Sequence, residues 1–153
     1  MGKVAIQILS LHSPFDWKRP KRWLCYFIRK ISNSYWNHSG LYVSIGYENY
    51  IIESDINGVQ MIPYSNYQRH GIIKLSNTTY DVEWERIEKH IGVAKYDFRN
   101  LLLHQTLKEA FGIFLPPKNK GRKGEKFTCS EFVAYVIDLP EPWKYTPREM
   151  SEL

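Results

Sequence analysis

The sequence predicts an α+β fold, a small antiparallel sheet packed by helices, in a single domain covering residues 1–153. Two observations carry this. The first half is a series of short β-rich runs punctuated by Gly, Asn and Asp turn signals. The second half carries apolar residues at helical spacing, and neither a repeat nor a composition break divides the chain.

The elements follow in order. Residues 3–11 alternate and are β-rich, which predicts a strand. Pro20 suits a first helical turn and opens a helix through KRWLCYFIRKISNSY, with Leu24, Phe27, Ile28 and Ile31 at helical spacing. Residues 38–45 and 50–53 then form a hairpin about a Gly46-Tyr47-Glu48-Asn49 turn. Asn57-Gly58 marks a second tight turn before the β-type run Val59-Gln60-Met61-Ile62. Residues 72–75 read as a further short strand. Residues 81–91 read as a helix on Val82, Trp84, Ile87 and Ile91, with Gly92 as its stop. A second helix is expected over residues 98–114. The segment PPKNKGRKGEK (116–126) is polar, basic and rich in Gly and Pro, hence a loop. A last helix spans residues 129–137, and the C-terminus, with Pro142 and Pro147, is expected to be loop.

Composition narrows the function classes. The 153 residues are 43% hydrophobic and 24% charged, a globular mix large enough to fold without disulfide or metal. Only Cys25 and Cys129 are present, too few for a secreted disulfide scaffold, so both thiols are expected reduced. The N-terminal run lacks the apolar length and cleavage site of an export signal, and Ile6 stands where myristoylation needs Ser or Thr. No stretch approaches membrane-spanning length, and cytoplasmic residence is the expectation. The net charge of +5 favours anionic partners without choosing among lipid headgroups, nucleic acid and cell-wall polymers.

Three segments could carry chemistry. In FTCSEFVAYV, Thr128 and Glu131 have the spacing of a capping box, which places Cys129 in the first helical turn. There, unpaired backbone N–H groups and the helix dipole favour a thiolate and can hold an oxyanion. A buried structural cysteine is an equally good reading of this segment alone. In NHSGLYV, His38 stands at the mouth of a strand whose Leu41, Val43 and Ile45 face one way. For any single one of the five histidines, an ordinary core or surface role is the commoner one. In IIES, Glu53 is placed to accept the His38 ring N–H, or to be a solvated strand end. A tight turn at Tyr47-Glu48 would pair Glu53 with Tyr42 instead, so contact with His38 would need strand twist or a bulge at Gly40.

Taken together, NHSGLYV, Ile52-Glu53-Ser54, Asn57-Gly58-Val59, HIGVAKYDF, FTCSEFVAYV and Tyr145-Thr146-Pro147 run in an order that resembles the permuted branch of the NlpC/p60 papain-like superfamily, the YiiX-like proteins. In that branch the His precedes the Cys, and the likeness covers most of the chain. Two features depart from it: the basic helix at residues 18–30 is unusually aromatic, and no export signal is present. The resemblance implies a permuted papain-like fold and a cysteine hydrolase. Its substrate would be an amide bond in a peptide or peptidoglycan-like molecule, cleaved through a thioacyl intermediate. Cys129 would be the nucleophile, His38 the base and Glu53 the residue orienting His38, with no cofactor or metal. The same fold also serves lipid-directed acyltransferases and thioesterases, the lecithin–retinol acyltransferase relatives. For that alternative the basic aromatic helix is the feature, as a face for an anionic membrane surface. A non-catalytic binding module is the third reading.

Other features are weaker. His70, His90 and His104 share no zinc-like spacing. The basic run at residues 118–124 lacks interleaved rings, so a solvated loop or a lid is expected and no specific nucleic acid. Trp23 and Phe27 are expected to pack in the core, Cys25 to be buried, and Asp97 to cap the helix it starts.

Overall fold

The β-rich runs form five strands, β1 (Lys3–His12), β2 (His38–Ile45), β3 (Glu48–Asp55), β4 (Gly58–Pro63) and β5 (Ile72–Glu83). The structure is a computed structural model that describes residues 2–14, 23, 26–27, 29–30, 33–67, 71–113 and 126–153, with only the backbone at 103–105 and 109–110. The strands make one antiparallel sheet in the order β4-β3-β2-β1-β5. Two-residue turns at 46–47 and 56–57 join β2 to β3 and β3 to β4.

Alternation sends side chains to both faces, and both are covered. On one face Ile6, Ile8, Leu41, Val43, Ile52 and Val59 share a core with Phe132, Val133 and Val136 of helix α4 (Cys129–Val136) and Met150 of α5 (Pro147–Ser151). On the other, Leu9, Leu11 and Ile51 pack with Tyr67 of α1 (Tyr64–Tyr67). Each large side chain fully buried this way contributes about 1.5–3 kcal/mol.

Four expectations change. Residues 81–83 are strand, because β5 continues along β1 with Tyr80 opposite Ile6 and Val82 opposite Val4. The helix there shrinks to α2 (Glu85–Glu88), and Gly92 closes the following turns at a φ of 73°. The C-terminus is not loop: Thr146 and Glu149 form a capping box, Pro147 fills the first turn of α5, and Pro142–Lys144 is a 3-10 turn. Trp23 and Phe27 are exposed, at 48% and 60%, rather than packed in the core. These two residues are helical, as are Tyr26, Arg29 and Lys30, whereas Asn33, at a φ of 46°, Ser34 and Tyr35, expected in the same helix, are not.

The second helix is found, as a π-helical stretch Asn100–Gln105 leading into α3 (Thr106–Phe111). Cys25, His70 and all of the 116–126 loop except Lys126 lie outside the described residues. Lys126 belongs to β7 (Lys126–Phe127), which pairs in parallel with β6 (Lys95–Tyr96). This ribbon fixes the approach to α4. It is tied to β4 by Val59 N–H donating to Ala94 O at 3.0 Å and Gly92 N–H donating to Val59 O at 2.8 Å. Among the described residues no helix is long and apolar enough to cross a membrane.

Gly58 makes that junction possible. Its φ is 101°, and a Cβ there would stand 2.2 Å from Ala94 O. Gly58→Ala is therefore expected to cost about 2 kcal/mol or more, from left-handed strain plus the backbone collision. Urea unfolding measures it, and a loss under about 0.5 kcal/mol would contradict the assigned junction.

Candidate active site

Helix α4 begins as its capping-box sequence dictates. Thr128 is extended at φ −77°, its hydroxyl accepts from Glu131 N–H, and the Glu131 carboxylate accepts from Thr128 N–H at 3.2 Å. Cys129 thus occupies the first turn, as a free thiol with 1% exposure. The backbone N–H groups of Ser130 and Ser39 donate to its sulfur, and its side chain is hydrogen-bonded to His38. Ser130 Oγ donates to Tyr145 O at 2.7 Å, anchoring the helix start to the C-terminal segment.

His38 is the first residue of β2, and the residue before it is pinned. Asn37 is fully buried, its Oδ1 accepts from Ser13 N–H at 3.1 Å, and its Nδ2 donates to Ser13 O at 3.0 Å. The His38 Nε2 lies 2.6 Å from Glu53 Oε2. With Nε2 engaged there, Nδ1 is the ring nitrogen left for the Cys129 sulfur.

The register explains how Glu53 reaches His38, and it corrects the expected pairing with Tyr42. Ile45 pairs with Glu48 and Leu41 with Ile52, so Tyr42 faces Ile51. Continuing the same register brings Gly40 opposite Glu53, with His38 on the diagonal of the same face. No bulge is needed. A Cβ on Gly40 would stand 3.4 Å from Glu53 Cβ and 3.3 Å from Ile52 O, so the missing side chain is the space through which the two residues meet. Glu53 shares its face with Ile51, whereas α4 covers the opposite face. Cys129 and Glu53 therefore approach His38 from the two sides of the sheet, at the end where β2 begins.

Glu53 is buried at 5% exposure, so the solvated-strand-end alternative fails. Its carboxylate is matched by three donors: His38 Nε2 and the Tyr67 hydroxyl on Oε2, and Gln60 Nε2 on Oε1 at 3.1 Å. Sequence reasoning missed Gln60 and Tyr67. Gln60 lies directly across from Glu53 because the turn falls at 56–57, whereas a two-residue turn on Asn57-Gly58 would have set Ile62 there. Tyr67 had no local signal, because its place follows from how α1 folds back over the sheet.

Burial alone would neutralise all three groups, but their mutual contacts win. Desolvation pulls the His38 pKa down, yet the Glu53 carboxylate and the Cys129 sulfur raise it well above the ordinary imidazole value. Burial pushes the Cys129 thiol up, but the His38 charge, its hydrogen bond and the Ser39 and Ser130 N–H groups bring it below the ordinary thiol value. Glu53 is likewise pushed up by burial and brought below the ordinary carboxylate value by His38, Tyr67 and Gln60. The electrostatics favour a thiolate facing an imidazolium, backed by a carboxylate.

The other candidates sit elsewhere. Asp97 caps its helix, with Oδ1 accepting from Asn100 N–H at 2.9 Å. His90 is buried edge-on against Phe127 and Tyr135. Among the described residues no group of three or more His, Cys, Asp or Glu side chains is gathered as a metal site. No family model matches the chain, and no curated protein matches it by sequence.

The cap of α4 makes stability depend on pH. Burial raises the Glu131 pKa from 4.5 to about 7, against the hydrogen bonds from Asn100 and Thr128 N–H, and the neighbouring Asp97 charge adds to the rise. The folded state then holds this proton more tightly than the unfolded chain. Its stabilisation is complete below the unfolded pKa and is lost as pH rises through about 7. Relative to Glu131→Gln, the wild type should lose up to about 3 kcal/mol between about pH 5 and pH 8. Denaturant unfolding of both proteins across that range checks it, and parallel pH profiles would contradict it.

Proposed function

We propose that this chain is a cysteine hydrolase of the permuted NlpC/p60, papain-like kind, cleaving an amide bond in a peptide or peptidoglycan-like substrate. The observation that carries the reading is the contact chain Cys129–His38–Glu53, in which His38 is hydrogen-bonded to both the thiol and the carboxylate. The order of these residues along the chain supports the family assignment. Cytoplasmic residence is part of the proposal.

In this mechanism the Cys129 thiolate attacks the substrate carbonyl carbon, forming a C–S bond and sending the carbonyl electron pair onto oxygen. The N–H groups at the start of α4 stabilise that oxyanion. As the tetrahedral adduct collapses, the C–N bond breaks and imidazolium His38 protonates the departing amine. His38, now neutral, takes a proton from water, which attacks the thioester. Release of the acid restores the thiolate–imidazolium pair. Glu53 holds the ring in one orientation and balances its charge. No step calls on a cofactor.

A second reading, a lipid-directed acyltransferase or thioesterase, is favoured by one observation: Trp23 and Phe27 expose rings on the basic N-terminal segment. Digestion of peptides and wall fragments, run beside anionic vesicles and ester substrates, separates the two. Vesicle binding lost on charge reversal of Lys18, Lys21 and Arg22, with ester turnover and no amide cleavage, would favour the lipid reading. Neither turnover nor thiol activation would leave the non-catalytic module.

The expected pH behaviour is specific. Alkylation of Cys129, followed by mass mapping, should rise as pH passes the lowered thiol pKa and hold a plateau through neutrality. Hydrolysis should fall again only above the raised pKa of His38. Cys129→Ala should abolish hydrolysis. Glu53→Gln should retain more activity than Glu53→Ala, and both more than Cys129→Ala. A Cys129 that reacts only in the range of an ordinary thiol would overturn the proposal.

A further inference from the structure

We infer that Tyr67, together with Gln60, is a positioning residue that keeps Glu53 aimed at His38 as a charged carboxylate. The inference rests on the hydrolase reading. Its basis is geometric. The Tyr67 hydroxyl donates to Oε2, the same oxygen that accepts from His38 Nε2, and Gln60 Nε2 donates to Oε1 at 3.1 Å. With both oxygens engaged from separate elements, α1 and β4, the carboxylate cannot turn about its own axis without breaking a bond. Tyr67 is itself fixed, at 2% exposure in the core with Leu9, Leu11 and Ile51.

The arrangement also meets the cost of burial. A carboxylate taken out of water protonates unless donors replace its hydration. Among the described residues, the titratable groups facing Glu53 are His38 from β2 and Tyr67 from α1, β4 contributes neutral Gln60, and Cys129 acts through His38. Losing the Tyr67 hydroxyl leaves one lone-pair direction of Oε2 empty where water has little access. Glu53 then takes up its proton at higher pH, and below that pH the His38 cation loses its counter-charge.

The test is the pH profile of Cys129 alkylation by iodoacetamide on the full chain, for wild type, Tyr67→Phe, Gln60→Leu, Glu53→Gln and the double variant Tyr67→Phe/Glu53→Gln. Tyr67→Phe should move the acid limb up by about half a pH unit or more, and Gln60→Leu in the same direction. Either variant carries the test if the other fails to fold. In the Glu53→Gln background, Tyr67→Phe should leave the limb in place, because its effect runs through the carboxylate. An unmoved limb in both single variants, or an equal shift with and without Glu53, overturns the inference and leaves Tyr67 a packing residue. Failure of the hydrolase reading looks different: the wild-type Cys129 would then show no acid limb below the range of an ordinary thiol.

Discussion

A buried carboxylate sets the terms for this fold. Glu53 lies in the middle of three strands, where an unpaired charge would cost several kcal/mol, and removing one partner of such a group usually costs about 3–5 kcal/mol. The chain meets this with a histidine on one neighbouring strand, a glutamine on the other and a tyrosine from the helix that covers that face. Each depends on a backbone decision made elsewhere. Gly40 leaves the gap, the turn at 56–57 sets Gln60 opposite, and the segment after β4 returns Tyr67 over the sheet. The chemistry at Cys129 follows from that carboxylate, since the His38 cation that lowers the thiol pKa is itself sustained by Glu53.

The two faces of the sheet divide the labour. The α4 face carries the apolar core that seats the cysteine helix, with Phe132, Val133 and Val136 all buried. The α1 face carries the polar apparatus under the histidine. His38 bridges them because it begins its strand, beyond the last pair with β3 at Leu41. The parallel ribbon of β6 and β7 delivers the chain to Thr128 alongside β4. Ser54 Oγ, donating to Phe127 O at 2.9 Å, locks that delivery to the strand bearing Glu53.

Much of the frame was legible in the sequence where the signal is local. The capping box at Thr128 and Glu131 is a short-range pattern and formed where its residues implied, and both hairpins formed with their turns one residue earlier than read. The Glu53 register was misplaced for a definable reason. The turn closes one residue earlier than expected, at 46–47, which moves each strand partner by two positions. A two-residue move keeps every side chain on its face but exchanges Tyr42 for Gly40 opposite Glu53. Residues 81–83 deceived because Val82 and Trp84 satisfy both a strand period and a loose helical one, and β1 offered an edge to pair with. The C-terminal helix was hidden by reading Pro147 as a breaker when, after Thr146, it is a starter. The ribbon of two-residue strands carries too little sequence to be read at all, and Tyr67 is a matter of tertiary return.

The central claim is that His38 carries a proton on both ring nitrogens at neutral pH because it stands between a thiolate and a carboxylate. Long-range nitrogen NMR of the ring, comparing wild type with Cys129→Ser, tests it most directly. The account predicts imidazolium shifts for wild-type His38 at about pH 7, with deprotonation displaced to lower pH once the sulfur is gone. A neutral single tautomer in the wild type at that pH, unchanged by the substitution, would contradict it.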